Sequence, residues 1–333
     1  MASSLKKNIG FGGLISLGAG GVIGSSWIYT NSQFFKAYGA GGEIFGLIIA
    51  GILAVLVSLS FAELSTVLTK SGGEVVYAYA AFGKKGALFA AWALMGAYLS
   101  ILAFFVTASS LLISYIFPQI STGPYYTFAG VKVHFIELII GVAITLVVFG
   151  VNYFGARLTG NVQILLFFGL VILGATLIAV GFFKGSPSNF FPAFYKGQNS
   201  LSSTIRFVLP AMTFMTGWES VAIMAEEANL PKRLIGRVVV FSIIIASLYY
   251  VLVLLSSAWI YPWQATAKMD MGTIDAFRAA GFPILGMFAF IISFLGLSTS
   301  FLTLFAATPR LVLSLARGHM LPKGLAKVNQ KHG

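Results

Sequence analysis

Cysteine is absent from the 333 residues, and histidine occurs only at His134, His319 and His332, each outside the long apolar runs. Without thiols, and with no imidazole in those runs, disulfide, thiolate and buried-imidazole chemistry are excluded. Charge is scarce as well: Asp, Glu, Lys and Arg make up 9% of the chain, against about a quarter in a soluble domain. Hydrophobic residues make up 58%, and the mean hydropathy is +0.92. No aqueous fold could hide that much apolar side chain, so the composition is that of an integral membrane protein. The net charge of +12 is scattered between apolar segments instead of gathered in a patch. It therefore reports topology and not nucleic-acid binding.

A bilayer crossing takes about 20 apolar residues. Charge-free stretches cover residues 8–35, 44–62, 86–131, 138–156, 158–183, 238–267 and 279–309, and an eighth, 207–225, is broken only by Glu219. The stretch 86–131 is one helix to about Phe117 followed by an outer loop, because Pro118, Gly123 and Pro124 punctuate it. No cleavage pattern precedes the first span, whose Lys6 and Lys7 read as a cytoplasmic anchor. With the N-terminus inside, Lys and Arg fall on the cytoplasmic side about twice as often as outside, which favours eight spans with both termini cytoplasmic.

Two spans are irregular. Residues 17–26 read Leu-Gly-Ala-Gly-Gly-Val-Ile-Gly-Ser-Ser, and each glycine costs a helix about 1 kcal/mol relative to alanine. One glycine would serve close packing. Several together predict an unwound segment, which survives in a membrane only beside protein or a polar cavity. In the sixth span Thr213, Phe214, Met215, Thr216, Gly217, Trp218 and Glu219 follow Pro210. The sixth span enters from the side opposite the first, as in an inverted repeat whose interrupted helices meet at a central site.

These residues resemble the amino acid-polyamine-organocation superfamily. Gly21 to Ser26 is similar to its first-helix Gly-Ser-Gly signature, with Ser26 in place of the last glycine. Phe61-Ala62-Glu63-Leu64, Ser71-Gly72-Gly73-Glu74 and Tyr77-Ala78-Tyr79 resemble its second helix and the re-entrant turn that follows. Gly217-Trp218-Glu219-Ser220, the stretch from Ala225 to Arg233, and the stretch from Pro309 to Pro322 resemble its sixth helix, the adjoining loop and the segment after helix eight.

The resemblance implies an all-α membrane protein with the leucine-transporter-like inverted-repeat fold and about eight transmembrane helices in one permease domain over 1–333. Residues 1–183 are the first repeat, helices one to five. Residues 203–333 are an incomplete second repeat, helices six to eight, and the expected C-terminal truncation leaves room for a complementary segment as partner. It further implies a secondary active transporter of amino acids or related amines in the cell membrane, working by alternating access. By that resemblance the substrate lies among Gly21, Val22, Ile23, Gly24, Ser25 and Ser26 of the first helix and Thr213, Met215, Thr216, Gly217 and Trp218 of the sixth. Amides of Gly24, Ser25 and Ser26 would meet a carboxylate, carbonyls of Thr213 and Thr216 an amine, and Met215, Trp218 and Tyr98 the side chain.

No cofactor is expected beyond a coupling ion. Glu219, an acid inside an apolar span, is the candidate for proton coupling. Relatives that use a fifth-helix lysine in place of a metal would carry it where this chain has Leu170, which leaves sodium as the other candidate. Its ligands would be carbonyls near Gly20 and Ile23 with the hydroxyls of Ser298 and Thr299; the alternative is that those hydroxyls bond back to their own helix. An enzyme would need a nucleophile with its base, metal ligands or paired carboxylates within the spans, and none is visible. A non-transporting scaffold is the remaining alternative. Glu226 and Glu227, which flank Lys232 and Arg233 in a cytoplasmic loop, read as solvated gate or pairing residues, and Glu63 as the anchor of the turn at 71–74.

Overall fold

The computed structural model describes residues 5–24, 26–128 and 131–328. Among them the chain is almost entirely helical, apart from one two-stranded hairpin. Helix α1 (Phe11–Val22) is followed by α2 (Ser26–Val67) and α3 (Glu74–Ile116). The hairpin of β1 (Tyr125–Phe128) and β2 (Val131–His134) is antiparallel, with Tyr125 opposite His134. Then come α4 (Phe135–Tyr153), α5 (Ala156–Lys184), a short α6 (Pro187–Phe190), α7 (Ser200–Phe214), a single-turn α8 (Ser220–Ile223), α9 (Lys232–Ile260), a short α10 (Trp263–Thr266), α11 (Gly272–Ala279) and α12 (Pro283–Arg317).

Among the described residues six helical stretches are long and apolar enough to cross a membrane, where the sequence predicts eight spans. Two features account for the difference. The expected first and second spans run together in one stretch, Phe11–Val67, that reverses at Gly39, whose φ of 75° a side chain would strain. Phe34 before the reversal and Gly46 after it both pack on Phe207, so the two arms lie side by side. The expected sixth span is divided between α7 and α8, neither long enough alone. A further reversal at Gly83 (φ 68°) lets α3 begin at Glu74, well ahead of residue 86.

The outer helices carry bare apolar faces, as at Phe89, Trp92, Leu146 and Leu165, which suits them to lipid. At the centre the reverse holds. Helix α1 is buried along nearly its whole length against α5, α9 and α12. Small residues permit the approach: a Cβ at Gly18 would collide with Ser242 and Val221, and one at Gly174 with Tyr249.

Candidate substrate site

Helix α1 ends at Val22 and α2 begins at Ser26, and Ile23 between them leaves helical geometry at ψ 82°. Helix α7 ends at Phe214, Gly217 takes a φ of 117°, and α8 starts at Ser220. The two interruptions touch through their backbones: a Cβ on Gly217 would stand 2.5 Å from the carbonyl carbon and oxygen of Gly21. Only glycine fits there, because both the positive φ and the contact forbid a side chain.

Tyr250, from the middle of α9, ties the interruptions together. Its hydroxyl shares its one proton between the carbonyls of Val22 and, at 3.3 Å, Phe214, and accepts from the Gly24 amide at 3.2 Å. Gly24 also donates to Val22 O, and its own carbonyl accepts from Trp27 Nε1 at 2.6 Å. Ser300 of α12 donates to the carbonyls of Gly20 and Gly21.

A cavity of about 270 Å³ opens beside this crossing. Of the predicted residues, Gly21, Val22, Gly24, Ser26, Thr213 and Thr216 line it. Ile23, Met215, Gly217 and Trp218 are buried behind it, and Ser25 lies outside the described residues. Tyr98 is also behind the wall, donating to Glu219 at 3.0 Å. The apolar lining comes from Ile101, Phe104, Phe105 and Leu304, which the sequence does not single out. Tyr250 is likewise unannounced, although a tyrosine inside an apolar span must place its hydroxyl somewhere.

The electrostatics of the cavity follow from helix ends. The first amides of α2, at Ser26, present a positive end, whereas the last carbonyls of α1 and α7 present negative ends. A molecule with a carboxylate and an ammonium a few ångströms apart matches that pattern. The candidate ion ligands are arranged differently: Ser298 Oγ donates to Phe294 O and Thr299 Oγ1 to Gly296 O, both within α12.

The family model described as amino acid permease matches residues 9–333. The chain belongs to the amino acid permease family. It is 25% identical to the branched-chain amino acid permease BcaP of Lactococcus lactis over 96% of this chain and 70% of that one. The BcaP of Bacillus subtilis is also 25% identical, over 99% and 71%. The methylthioribose transporter of Bacillus subtilis is 27% identical over 98% and 71%.

In this permease the face near Leu5 and Ile9 is tied together by backbone and charge. Ile9 pairs in parallel with Ala228, donating to Glu227 O and accepting from the Asn229 amide. Arg310 of α12 grips Glu227 with two bonds of 2.8 and 2.9 Å. Glu226 gathers the Leu5 amide on one oxygen and the Ser71 amide and Arg317 on the other. Burial opposes ionisation of Glu226, but Arg317 and the two amides outweigh it and hold this carboxyl below its usual range. The solvated reading of Glu227 is therefore corrected, for only 1% of it is exposed. The partners of both acids are arginines of α12 and not the adjacent Lys232 and Arg233. Glu226, not the exposed Glu63, anchors the turn at Ser71.

Glu219 accepts from Tyr98 and from the Gly217 amide at 2.7 Å, so the acid braces the second interruption. Glu74, at the start of α3, has its Oε2 buried without a hydrogen-bond partner. A second buried carboxyl thus lies where the sequence reading expects a turn residue, because the chain turns at Gly83 within α3.

Proposed function

We propose that this permease is a secondary transporter that moves amino acids with apolar side chains across the cell membrane by alternating access. The observation that carries the reading is the contact of Gly21 with Gly217 at the edge of the cavity, which brings two helix interruptions with opposite dipole ends to one place. The substrate carboxylate sits at the start of α2 near Ser26, the ammonium at the ends of α1 and α7 near Gly21 and Thr213, and the side chain against Ile101, Phe104 and Phe105. The branched-chain permeases among its relatives favour leucine, isoleucine and valine as first substrates to test.

We read Phe11–Val67 as two passes and α7 with α8 as one, which gives eight passes of leucine-transporter-like type with both ends cytoplasmic. The stretch of 57 residues supports this, being about 85 Å at 1.5 Å per residue against a hydrocarbon core of about 30 Å. The face near Leu5 and Ile9 is then cytoplasmic, and the larger cavity of about 700 Å³, which shares Ser26, Phe104 and Phe214 with the site, is the outer vestibule. Glu219 is the proton-coupling candidate, and sodium at Gly20, Ile23, Ser298 and Thr299 is the competing reading.

Uptake of labelled leucine into proteoliposomes tests the function. Gly21→Leu should insert normally and lose uptake, because the new side chain would meet Thr303 and the Gly217 carbonyl. Uptake equal to the parent's would overturn the site. Running the parent in sodium and in choline, at two pH values and beside Glu219→Gln, separates the two ions.

A further inference from the structure

Between α2 and α3 the chain lies against the C-terminal end of α12: a Cβ on Gly72 would stand 2.3 Å from Ser314 Cβ. Beside this contact opens a cavity of about 280 Å³ that the transport reading leaves unused. Lys70, Ser71, Arg317 and His319 form its polar wall, and Val75, Val76, Tyr79 and Met320 its apolar one. Ser71 is 2% exposed, and its hydroxyl has no hydrogen-bond partner among the described residues. A buried hydroxyl in that condition is costly, so a ligand that engaged it would recover the cost. His319 follows the Gly318 cap of α12 at a φ of 56°, with the Met320 amide bonded to Leu315 O. Glycine usually fills that left-handed position, and histidine is strained in it. The imidazole is thus kept at the cavity against a backbone preference.

The chemistry of the wall selects its ligand. Lys70 and Arg317 are cationic, and Glu226, which Arg317 meets at 2.7 Å and which accepts from the Ser71 amide at 3.0 Å, offsets one of the two charges. One positive charge with hydroxyl and imidazole donors suits a singly charged phosphodiester, whose oxygens only accept. A free phosphate would gain nothing from the apolar wall, whereas an acyl chain would. Val67, three residues before Lys70, and Phe82, three after Tyr79, are exposed apolar side chains that continue that wall. We propose that this cavity binds an anionic phospholipid, with the headgroup phosphate at Lys70, Ser71, Arg317 and His319 and an acyl chain along Val75, Val76 and Tyr79. Basic pockets between membrane helices hold anionic headgroups in this way.

The test uses the purified full chain in detergent, titrated with dioleoyl phosphatidylglycerol, dioleoyl phosphatidylcholine or sodium phosphate and read by thermal melting. Phosphatidylglycerol should raise the melting temperature of the parent to a plateau, and the other two should leave it unchanged. Lys70→Gln should bind phosphatidylglycerol about tenfold more weakly, because it loses a charge-assisted bond. Ser71→Ala should melt no lower than the parent in detergent alone, since the hydroxyl bonds nothing in the fold, yet bind the lipid about fivefold more weakly. His319→Gly should likewise melt no lower, because the strain is relieved, and lose affinity to a similar degree. Ser71→Ala leaves the net charge unchanged, so its loss cannot come from general attraction between an anionic lipid and a basic chain. The proposal is overturned if phosphatidylcholine or sodium phosphate stabilises the parent as phosphatidylglycerol does, or if Ser71→Ala and His319→Gly keep the parent's affinity. Uptake of leucine has no part in the readout, so the outcome is independent of the transport reading.

Discussion

The two faces of the permease are built by different physics. The face holding the chain's start is fastened by charge and backbone: two arginines of α12 reach two adjacent glutamates, and a parallel bridge joins Ile9 to Ala228. Toward the opposite face the cavity and the adjoining space are lined by aromatic rings and hydroxyls, with Asp270 as the acid at the rim. Directional, charge-assisted bonds specify one geometry and release all at once, whereas apolar contacts slide and re-form. On the transport reading proposed above, the glutamate–arginine face is the discrete lock and the cavity side the adaptable one.

The largest effect is expected from breaking the lock at its most buried point. Glu227→Ala leaves the Arg310 guanidinium, whose side chain is 17% exposed, without its carboxylate, which costs at most about 3 kcal/mol, the low end for a buried pair because water reaches the arginine. Melting of the purified variant should fall sharply, and labelling of a cysteine introduced on the cavity side of α1 by a reagent added from the face that carries Ile9 should rise. Melting like the parent's would show that the pair is not the lock. Next comes Gly217→Ala, where the added methyl meets Gly21 and φ is unfavourable. The strain alone is about 1 to 3 kcal/mol. Substrate binding should vanish while the variant still inserts. Retained affinity in calorimetry would mean that the interruptions need not touch.

Tyr250→Phe sharpens the comparison, because it removes one hydroxyl that ties both interruptions without touching the lock. Loss of its bonds to the Val22 and Phe214 carbonyls should weaken leucine binding by about 1 to 2 kcal/mol. Melting should be less affected than by Glu227→Ala. A variant that loses stability but keeps affinity would assign Tyr250 to packing.

These pairs also mark where sequence reading stops. The glycines at 20, 21 and 24 and the Thr-Gly pair at 216–217 are legible because lipid forbids unpaired backbone, so a cluster of poor helix formers inside a span must have a reason. Which residues answer them is not legible. Tyr250, Gln163 and Arg310 reach partners more than 80 residues away, and local periodicity carries no information on that. Glu74 reads as a turn residue because nothing local shows that Gly83 reverses the chain. Charge counting passes over Gln163 altogether, since an amide leaves its span formally neutral.

The smallest effect concerns the second half of the lock and is a matter of pH. Glu226 is held below the usual carboxylate range in the folded protein, with burial opposing and the Arg317 pair and two amides prevailing. A group whose pKa is lower folded than unfolded contributes stability that is complete above the unfolded value, about 4.3 for glutamate, and is lost as pH falls through the folded one. Glu226→Gln removes the ionised partner, so at pH 7 it should melt slightly below the parent, by the equivalent of about 1 kcal/mol or less, since the pair is only partly buried. Between pH 7 and pH 5 the gap should stay constant. Below about pH 4 it should close, because the parent's own carboxyl becomes neutral there. A gap that persists undiminished at pH 3 would mean that the lost stability comes from geometry and not from charge, and the lock would then rest on Glu227 and the bridge at Ile9.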